Sequence, residues 1–431
     1  MSQRFQVLES SVVVYFEEVE GELFGLLSNL QTGKKINVNG DASRLLQAVM
    51  EGQCLEDIVP QNIGQNLRTK VIAQSALFLD GLEGEGMILR SDVSVKSFPP
   101  KIVSAKPPLR AIFLEVSKAC NLRCRHCYVT DIDSPRTSEE MSAKDIIRVV
   151  EQADALGVME VELTGGEFFL KPGAVDILKF IGNKRIPCSV FTNATIFPDA
   201  LAQLLSKGAW GITFYISLDG PEQVHDWFRR REGAYEKTIS TLRKMKEMDY
   251  DFRITTIVGK HNIDHIPSLV AFVDKEFGVQ HRFDVIQSVG RGKECQDLVI
   301  SSEEFSSLMK GIQKEVKFLD DRDRSEDRDW SVPACGAGSE MFFVDAYGNA
   351  GICPTLTRDQ DISFFAGNVL TGSVQDIWEN SRTFSLFRGI QCEKIAGCPA
   401  REKCSGGCRS RAFLSSTDLR APDVLLCDLF K

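Results

Sequence analysis

Thirteen cysteines are spread unevenly over 431 residues, and their placing narrows the fold more than any other feature of the chain. Three fall within eight residues, Cys120-Asn-Leu-Arg-Cys124-Arg-His-Cys127, and seven more lie between Cys335 and Cys427. Cys54, Cys188 and Cys295 stand alone, as free cysteines packed like small hydrophobes do. The first residues, Met1-Ser-Gln-Arg-Phe5, lack the basic-then-apolar layout of an export signal, so this many thiols imply metal rather than disulfides. No apolar run is long enough to span a bilayer, so a cytoplasmic protein with no membrane partner is expected. The net charge of −9 argues against nucleic acid as the main partner.

The length predicts two or three domains. Residues 1–90 read as a small strand-then-helix unit. Val12–Phe16 and Leu23–Leu27 are β-prone, Gly33 supplies a turn, and Asp41 is placed to cap a helix carrying Leu45, Leu46, Val49 and Met50 on one face. A longer helix from about Asn66 ends at Gly84 and Gly86, before a returning strand at Met87–Leu89. Residues 91–109, with Pro99-Pro100 and Pro107-Pro108, read as a linker. Residues 110–316 alternate strand and helix, with strands at Ile112–Val116, Val158–Leu163, Cys188–Phe191, Ile212–Ile216, Arg253–Val258 and Arg282–Ile286. Helical patterns such as Ala143–Leu156 and Val175–Ile181 separate them. Six such repeats give an α/β fold, a partial (β/α)6 barrel of the TIM type. Asp320–Asp329 is a charged, solvated connector. Residues 317–431 are rich in Cys and Gly and poor in long amphipathic helices, so they need staples, which metal clusters would provide.

The Cys120 loop follows the first barrel strand. Spacings of three and two residues let one short loop ligate three irons of a cubane and leave the fourth open. The alternative is a zinc site closed by His126. Thr164-Gly165-Gly166-Glu167 follows the second strand, Phe191-Thr192-Asn193-Ala194 ends the third, and Ser217-Leu-Asp-Gly-Pro221 ends the fourth, shortly before Arg229.

Together these motifs resemble the radical S-adenosylmethionine superfamily over residues 110–300. The resemblance implies a [4Fe-4S] cluster on Cys120, Cys124 and Cys127, and S-adenosylmethionine at its open iron. It also implies that Gly165, Gly166 and Glu167 hold the methionine ammonium, that Ser217 and Arg229 grip the carboxylate, and that Asn193 lies nearby. The family usually has Pro where Phe168 stands, and Arg230 and Arg231 compete with Arg229 for its role. One electron entering the cluster would then cleave the sulfonium, and the resulting 5′-deoxyadenosyl radical would take hydrogen from an unreactive C–H bond, with no side-chain nucleophile required.

Cys335, Gly348 and Cys353, followed by Cys392, Cys398, Cys404, Cys408 and Cys427, resemble the SPASM extension, which carries two auxiliary [4Fe-4S] clusters. That makes three clusters in all. The family's crossed scheme implies Cys335, Cys353 and Cys408 for the first auxiliary cluster, and Cys392, Cys398, Cys404 and Cys427 for the second. The first then has an open or non-cysteine-ligated iron. Cys392 and Cys398 are separated by five residues where the family commonly has two, and zinc is the alternative for all seven thiolates. Residues 1–90 resemble the winged-helix-like element that binds leader segments of ribosomally made, post-translationally modified peptides.

The expected function is therefore oxidative modification of a precursor peptide, by a thioether or carbon–carbon cross-link. Epimerisation with Cys188 or Cys295 as hydrogen donor, formylglycine formation of the sulfatase type, and a non-catalytic iron–sulfur peptide-binding scaffold stand as alternatives. The expected partners are a precursor peptide with its leader and an acidic flavodoxin or ferredoxin docking at Lys118, Arg123 and Arg125, with plain solvated loop charges as the alternative reading of those three residues.

Overall fold

The structure, a computed structural model, describes residues 5–8, 11–19, 21–32, 34–90, 99–129, 132, 137–204, 211–312, 335–357, 364–404 and 406–430. The turn at Gly33, the first part of the linker and the connector at 320–329 lie outside them.

The N-terminal unit holds strands β1 (Phe5–Val7), β2 (Val12–Val19), β3 (Glu22–Asn29) and β4 (Lys35–Asn39), helices α1 (Gly40–Met50), α2 (Leu55–Ile58) and α3 (Gln65–Gly84), and strand β5 (Ile88–Arg90). Leu45, Leu46, Val49 and Met50 of α1 are buried as their spacing requires. The cap of that helix differs from expectation: Asn39 occupies the N-cap, and Asp41 lies in the first turn, where its charge complements the helix dipole. Part of the expected linker is structured, since β6 (Lys101–Ile102) adds to β2 in parallel.

The barrel strands are β7 (Ala111–Glu115), β8 (Glu160–Thr164), β9 (Cys188–Thr192), β10 (Ile212–Ser217), β11 (Phe252–Val258) and β12 (His281–Val285). They alternate with α4 (Ala143–Ala155), α5 (Ala174–Asn183), α6 (Asp199–Leu204), α7 (Glu222–Arg229), α8 (Ala234–Glu247) and α9 (Ile266–Glu276). All six strands pair in parallel and in sequence order. Ile112, Leu114, Val161, Leu163, Val190 and Ile216 alternate onto the helix-facing core. Phe113, Phe191 and Tyr215 take the opposite face, with ring centroids 5.8 Å and 4.9 Å apart.

After α10 (Ser302–Ile312) come β13 (Met341–Val344), β14 (Asn349–Gly351) and β15 (Phe365–Asn368), then α11 (Val374–Asn380), α12 (Arg382–Arg388), α13 (Arg401–Cys404), α14 (Arg409–Ser416) and α15 (Val424–Leu429). β13 pairs in parallel with β7, so the C-terminal region extends the barrel sheet, and nine strands among the described residues form one continuous sheet.

The N-terminal unit docks on the end of the barrel where strands begin. Lys35 reaches Glu160 at 3.2 Å, Arg185 donates to the Val12 carbonyl at 2.7 Å, and Arg110 pairs with Glu17 at 3.1 Å. The motifs singled out above lie at the other end, where strands finish.

Candidate functional site

The Cys120–Cys127 loop leaves the C-terminal end of β7 and is held by backbone contacts on two sides. The N–H of Gly166 donates to the Ser117 carbonyl (2.7 Å) and that of Glu167 to the Ala119 carbonyl (2.8 Å). A Cβ on Gly166 would stand 2.2 Å from the Ala119 oxygen, and one on Gly165 2.6 Å from the Ser117 oxygen. The two glycines are thus demanded by the cysteine loop itself. From the far side the Arg291 N–H donates to the Cys127 carbonyl and its Nε to the Cys124 carbonyl, both at 2.9 Å. Gly290, at φ +57°, lies so close that a Cβ would be 2.6 Å from the Cys127 oxygen. Sequence reasoning missed this brace, although Gly290-Arg-Gly292 just after the sixth strand was a visible signal.

Burial, with the sulfurs of Cys124 and Cys127 acting in the same direction, pushes the Cys120 thiol up to about 12. A thiol crowded by two other sulfurs and hard to ionise alone suits a cationic cluster that stabilises the thiolate. His126 stacks on Phe228 (4.2 Å between centroids), and burial lowers its pKa to about 3.

Glu167 is buried at the rim. Its Oε1 accepts from Thr192 Oγ1 (2.6 Å) and the Phe169 N–H (3.2 Å), and its Oε2 from the Asn193 N–H (2.8 Å). Burial raises its pKa while these bonds oppose the rise, and Oε2 keeps room for one more donor, as an ammonium would require. Phe168, in place of the family's Pro, opens a 3-10 turn and is fully buried. Asn193 Nδ2 lies 3.1 Å from Asn121 Oδ1 and 4.0 Å from Cys120 Sγ. Ser217 ends β10, paired in register with Thr255.

Of the three adjacent arginines, Arg229 is buried, and Arg230 and Arg231 are exposed. Arg229 Nε donates to Asp219 Oδ2 at 2.6 Å, and its Nη1 lies 3.7 Å from Cys124 Sγ. Burial opposes its charge, but Asp219 and the Cys124 sulfur hold its pKa above the ordinary value. Burial likewise works against the Asp219 carboxylate, yet Arg229 and His225 bring it down to about 2. The arginine thus faces the sulfur of Cys124 as well as the carboxylate of Asp219. No role of their own was expected for Asp219, within the Ser217–Pro221 motif, or for His225, between that motif and Arg229.

Lys118 is a correction. It is buried and paired with Glu115 at 2.7 Å, so it cannot face a partner protein. Arg123 is exposed, and Arg125 stacks over the exposed ring of Trp227 at 4.0 Å.

The C-terminal cysteines fall into neighbourhoods. Cys353 feels the charges of Cys335 and Cys408, and burial first and those sulfurs next push it up to about 12. Cys404 neighbours Cys427 and Cys398. Cys392 lines a small cavity with Cys335 and Arg409. The two solitary thiols considered as hydrogen donors lie at different ends of the barrel. Cys188 begins β9, at the opposite end of the barrel, and packs in the helix-facing core. Cys295 is buried and donates to the Arg125 carbonyl at 3.2 Å.

Residues 114–273 match the radical SAM superfamily model, and residues 335–409 match that of the SPASM iron–sulfur cluster-binding domain. Among curated relatives, the antilisterial bacteriocin subtilosin biosynthesis protein AlbA of Bacillus subtilis is 26% identical over 72% of this chain and 69% of its own. The mycofactocin maturase MftC of Mycobacterium ulcerans is 24% identical over 72% and 85%. An AdoMet-dependent heme synthase of Methanosarcina barkeri is 24% identical over 72% and 93%. The crystal structure of Streptococcus suis SuiB bound to its precursor peptide SuiA superposes with a TM-score of 0.68 at 16% identity, covering 98% of this chain and 99% of that one. At that identity the likeness is one of fold.

Proposed function

We propose that this chain, an enzyme that belongs to the radical S-adenosylmethionine superfamily and carries a SPASM extension, oxidatively matures a ribosomally made precursor peptide by forming an intramolecular thioether or carbon–carbon cross-link. The observation that carries this reading is the joining of three parts in one chain: an N-terminal unit on the closed end of the barrel, a cysteine loop at the open end, and a seven-cysteine region on the sheet edge. The fold shared with SuiB spans nearly the whole chain, N-terminal unit included, and that protein was crystallised with a precursor peptide. AlbA and MftC are named for making a bacteriocin and maturing mycofactocin, which favours a peptide substrate.

When bound, the reduced rim cluster and S-adenosylmethionine supply hydrogen abstraction from an unreactive C–H bond. Cys120, Cys124 and Cys127 would hold the cluster, on a loop that Gly165, Gly166, Gly290 and Arg291 keep in place. Glu167, Asn193, Ser217 and Arg229 would orient the cosubstrate, Glu167 through the acceptor position left on Oε2. Cys335, Cys353 and Cys408 would hold one auxiliary cluster, and Cys392, Cys398, Cys404 and Cys427 the other, giving the substrate's electron somewhere to go. Residues 1–90 would bind the leader. They dock at the opposite end of the barrel from the cysteine loop, so the peptide must run the length of the barrel between leader and modified residue. Tethering at one end raises the concentration of the reacting segment at the other. An acidic one-electron donor would approach at Arg123, Arg125 and Trp227.

Heme formation is a second reading, because the heme synthase is as similar in sequence as MftC. The N-terminal unit favours the peptide. Epimerisation with Cys188 as donor is disfavoured by its place at the start of β9, at the far end of the barrel.

Mass spectrometry of reduced, iron-loaded protein with S-adenosylmethionine and short peptides encoded beside its gene tests the proposal. The expected result is 5′-deoxyadenosine together with a two-hydrogen mass loss in one peptide. Unchanged mass with solvent deuterium incorporated would replace cross-linking by epimerisation. Turnover only with a porphyrin would select the heme reading.

A further inference from the structure

Charges around the C-terminal cysteines are arranged with a direction. Asp423, 2% exposed, immediately precedes α15, and its carbonyl accepts the N–H of Cys427 at 3.0 Å. Its carboxylate reaches the other way. Oδ2 accepts the N–H of Cys408 at 2.8 Å, and both oxygens accept from Arg411, whose Nε lies 3.1 Å and 3.2 Å away and whose Nη2 lies 2.7 Å from Oδ2. A largely buried bidentate pair therefore stands between the two cysteine neighbourhoods.

Its two charges act on different neighbours. The Arg411 guanidinium feels the charges of Cys408 and, more weakly, of Asp284 near the end of β12. The Asp423 carboxylate feels Cys404. A second arginine adds to the asymmetry. Arg409 is 4% exposed, and its guanidinium donates to the carbonyls of Leu419 (2.8 Å), Ala421 (2.9 Å) and Gly406, with no carboxylate partner among the described residues. A cation buried without a carboxylate is costly unless an anion stands near it. Arg409 shares a small cavity with Cys335 and Cys392, and it gives its main-chain N–H to the Cys335 sulfur. Further donors reach the same cysteine set: the Leu356 N–H lies 3.3 Å from Cys353 Sγ, and Ser410 Oγ lies 3.1 Å from Cys408 Sγ.

Hydrogen bonds to cluster sulfurs and nearby positive charge favour the reduced state, and nearby negative charge opposes it. We propose that Arg409 and Arg411 make the cluster held by Cys335, Cys353 and Cys408 the more easily reduced of the two auxiliary clusters, while Asp423 holds the other at a lower potential. This rests on the ligand assignment proposed above. Arg409 and Arg411 are positioning residues, acting through Cys335 and Cys408.

Redox titration of the full, anaerobically reconstituted chain, followed by electron paramagnetic resonance, tests this. Cys335→Ala and Cys404→Ala identify which signal belongs to which cluster. In the wild type, the signal lost in Cys335→Ala should titrate at the higher potential. Arg411→Met and Arg409→Met should move that midpoint to more negative potential and leave the rim cluster where it was. Arg411→Lys, which keeps the charge, should recover most of the shift, and Asp423→Asn should raise the other midpoint. Because the Arg411 side chain is 22% exposed, its variants are the ones best placed to fold normally. Midpoints in the reverse order, or an Arg411→Met protein with full iron that titrates as wild type, would overturn the proposal. Iron and sulfide content of the wild type separates that outcome from failure of the cluster assignment itself, which would appear as fewer than two auxiliary clusters.

Discussion

At the barrel rim, three cysteines occupy eight residues of one loop, and the barrel places every one of them. Seven others are strung from Cys335 to Cys427, mostly among helices of four to eight residues. Helices that short are not stable alone in water. The rim loop instead leans on Gly166, Glu167 and Arg291, whose strands are fixed by the main core. The C-terminal region is itself divided. Phe342, Trp378, Phe384 and Phe387 belong to the barrel's core, whereas the stretch from Ile395 onward carries most of the cysteines and much less of that core. The rim loop is therefore held by the barrel core, whereas the tail has little core of its own to hold it.

The sharpest way to break this comparison is to remove one ligand from each region. Cys124→Ala should abolish formation of 5′-deoxyadenosine while the chain stays folded. Cys353→Ala should leave 5′-deoxyadenosine formation measurable but abolish the cross-linked product. If both variants lost cosubstrate cleavage equally, the two regions would not be separable. A smaller effect is expected at Gly166. Gly166→Ala puts a carbon 2.2 Å from the Ala119 oxygen and must shift the cysteine loop, at a loss of roughly 10–100-fold in rim-cluster occupancy, as for outer-shell partners of metal ligands. Iron analysis and the rim signal measure it, and unchanged occupancy would show that the loop tolerates displacement. Chelating the iron sharpens the other half. Limited proteolysis of the stripped protein should cut between residues 390 and 430 first and spare the barrel, and a uniform digestion pattern would contradict an iron-ordered tail.

The same contrast explains what was legible in the sequence. The six barrel strands are found within about two residues of expectation, because alternating burial leaves a period that a single sequence displays. The Cys120 loop and Glu167 could be read because their chemistry needs fixed residues at fixed spacing. The contacts that join segments could not. The pairing of β13 with β7, the brace from Arg291 and the capture of Lys118 by Glu115 all depend on which parts meet in space. Lys118 shows the cost of reading charge without burial, since flanking a cysteine loop made it look like a docking residue. Cys335 and Cys408 stand beside Cys353, and Cys392 shares a cavity with Cys335. The buried, carboxylate-free Arg409 had no signature in the sequence at all.

Acid should act in the opposite sense to chelation, because all five histidines lie in the barrel segment and none in the tail. His225 and His281 are 1% and 2% exposed. Burial lowers His225 to about 4, with Asp219 opposing the fall and Arg229 assisting it, and burial lowers His281 to about 3. Both stay neutral in the folded barrel down to those values, yet take up a proton once unfolded below the ordinary value of 6.5. Between pH 6.5 and about 4 the unfolded state therefore binds more protons, and stability falls as pH falls. Each group contributes about 1.4 kcal/mol per pH unit in that window and nothing above it. Urea denaturation of the iron-free chain at pH 7.5 and 5.5, read from barrel tryptophan fluorescence, should give a lower midpoint at the lower pH. His281→Asn should reduce that difference, because the ring nitrogen facing Thr256 Oγ1 at 2.8 Å is replaced by a group that does not titrate. Equal midpoints at the two pH values would mean that these rings are hydrated and titrate normally, and the barrel would lose its claim to be the acid-sensitive half of the molecule.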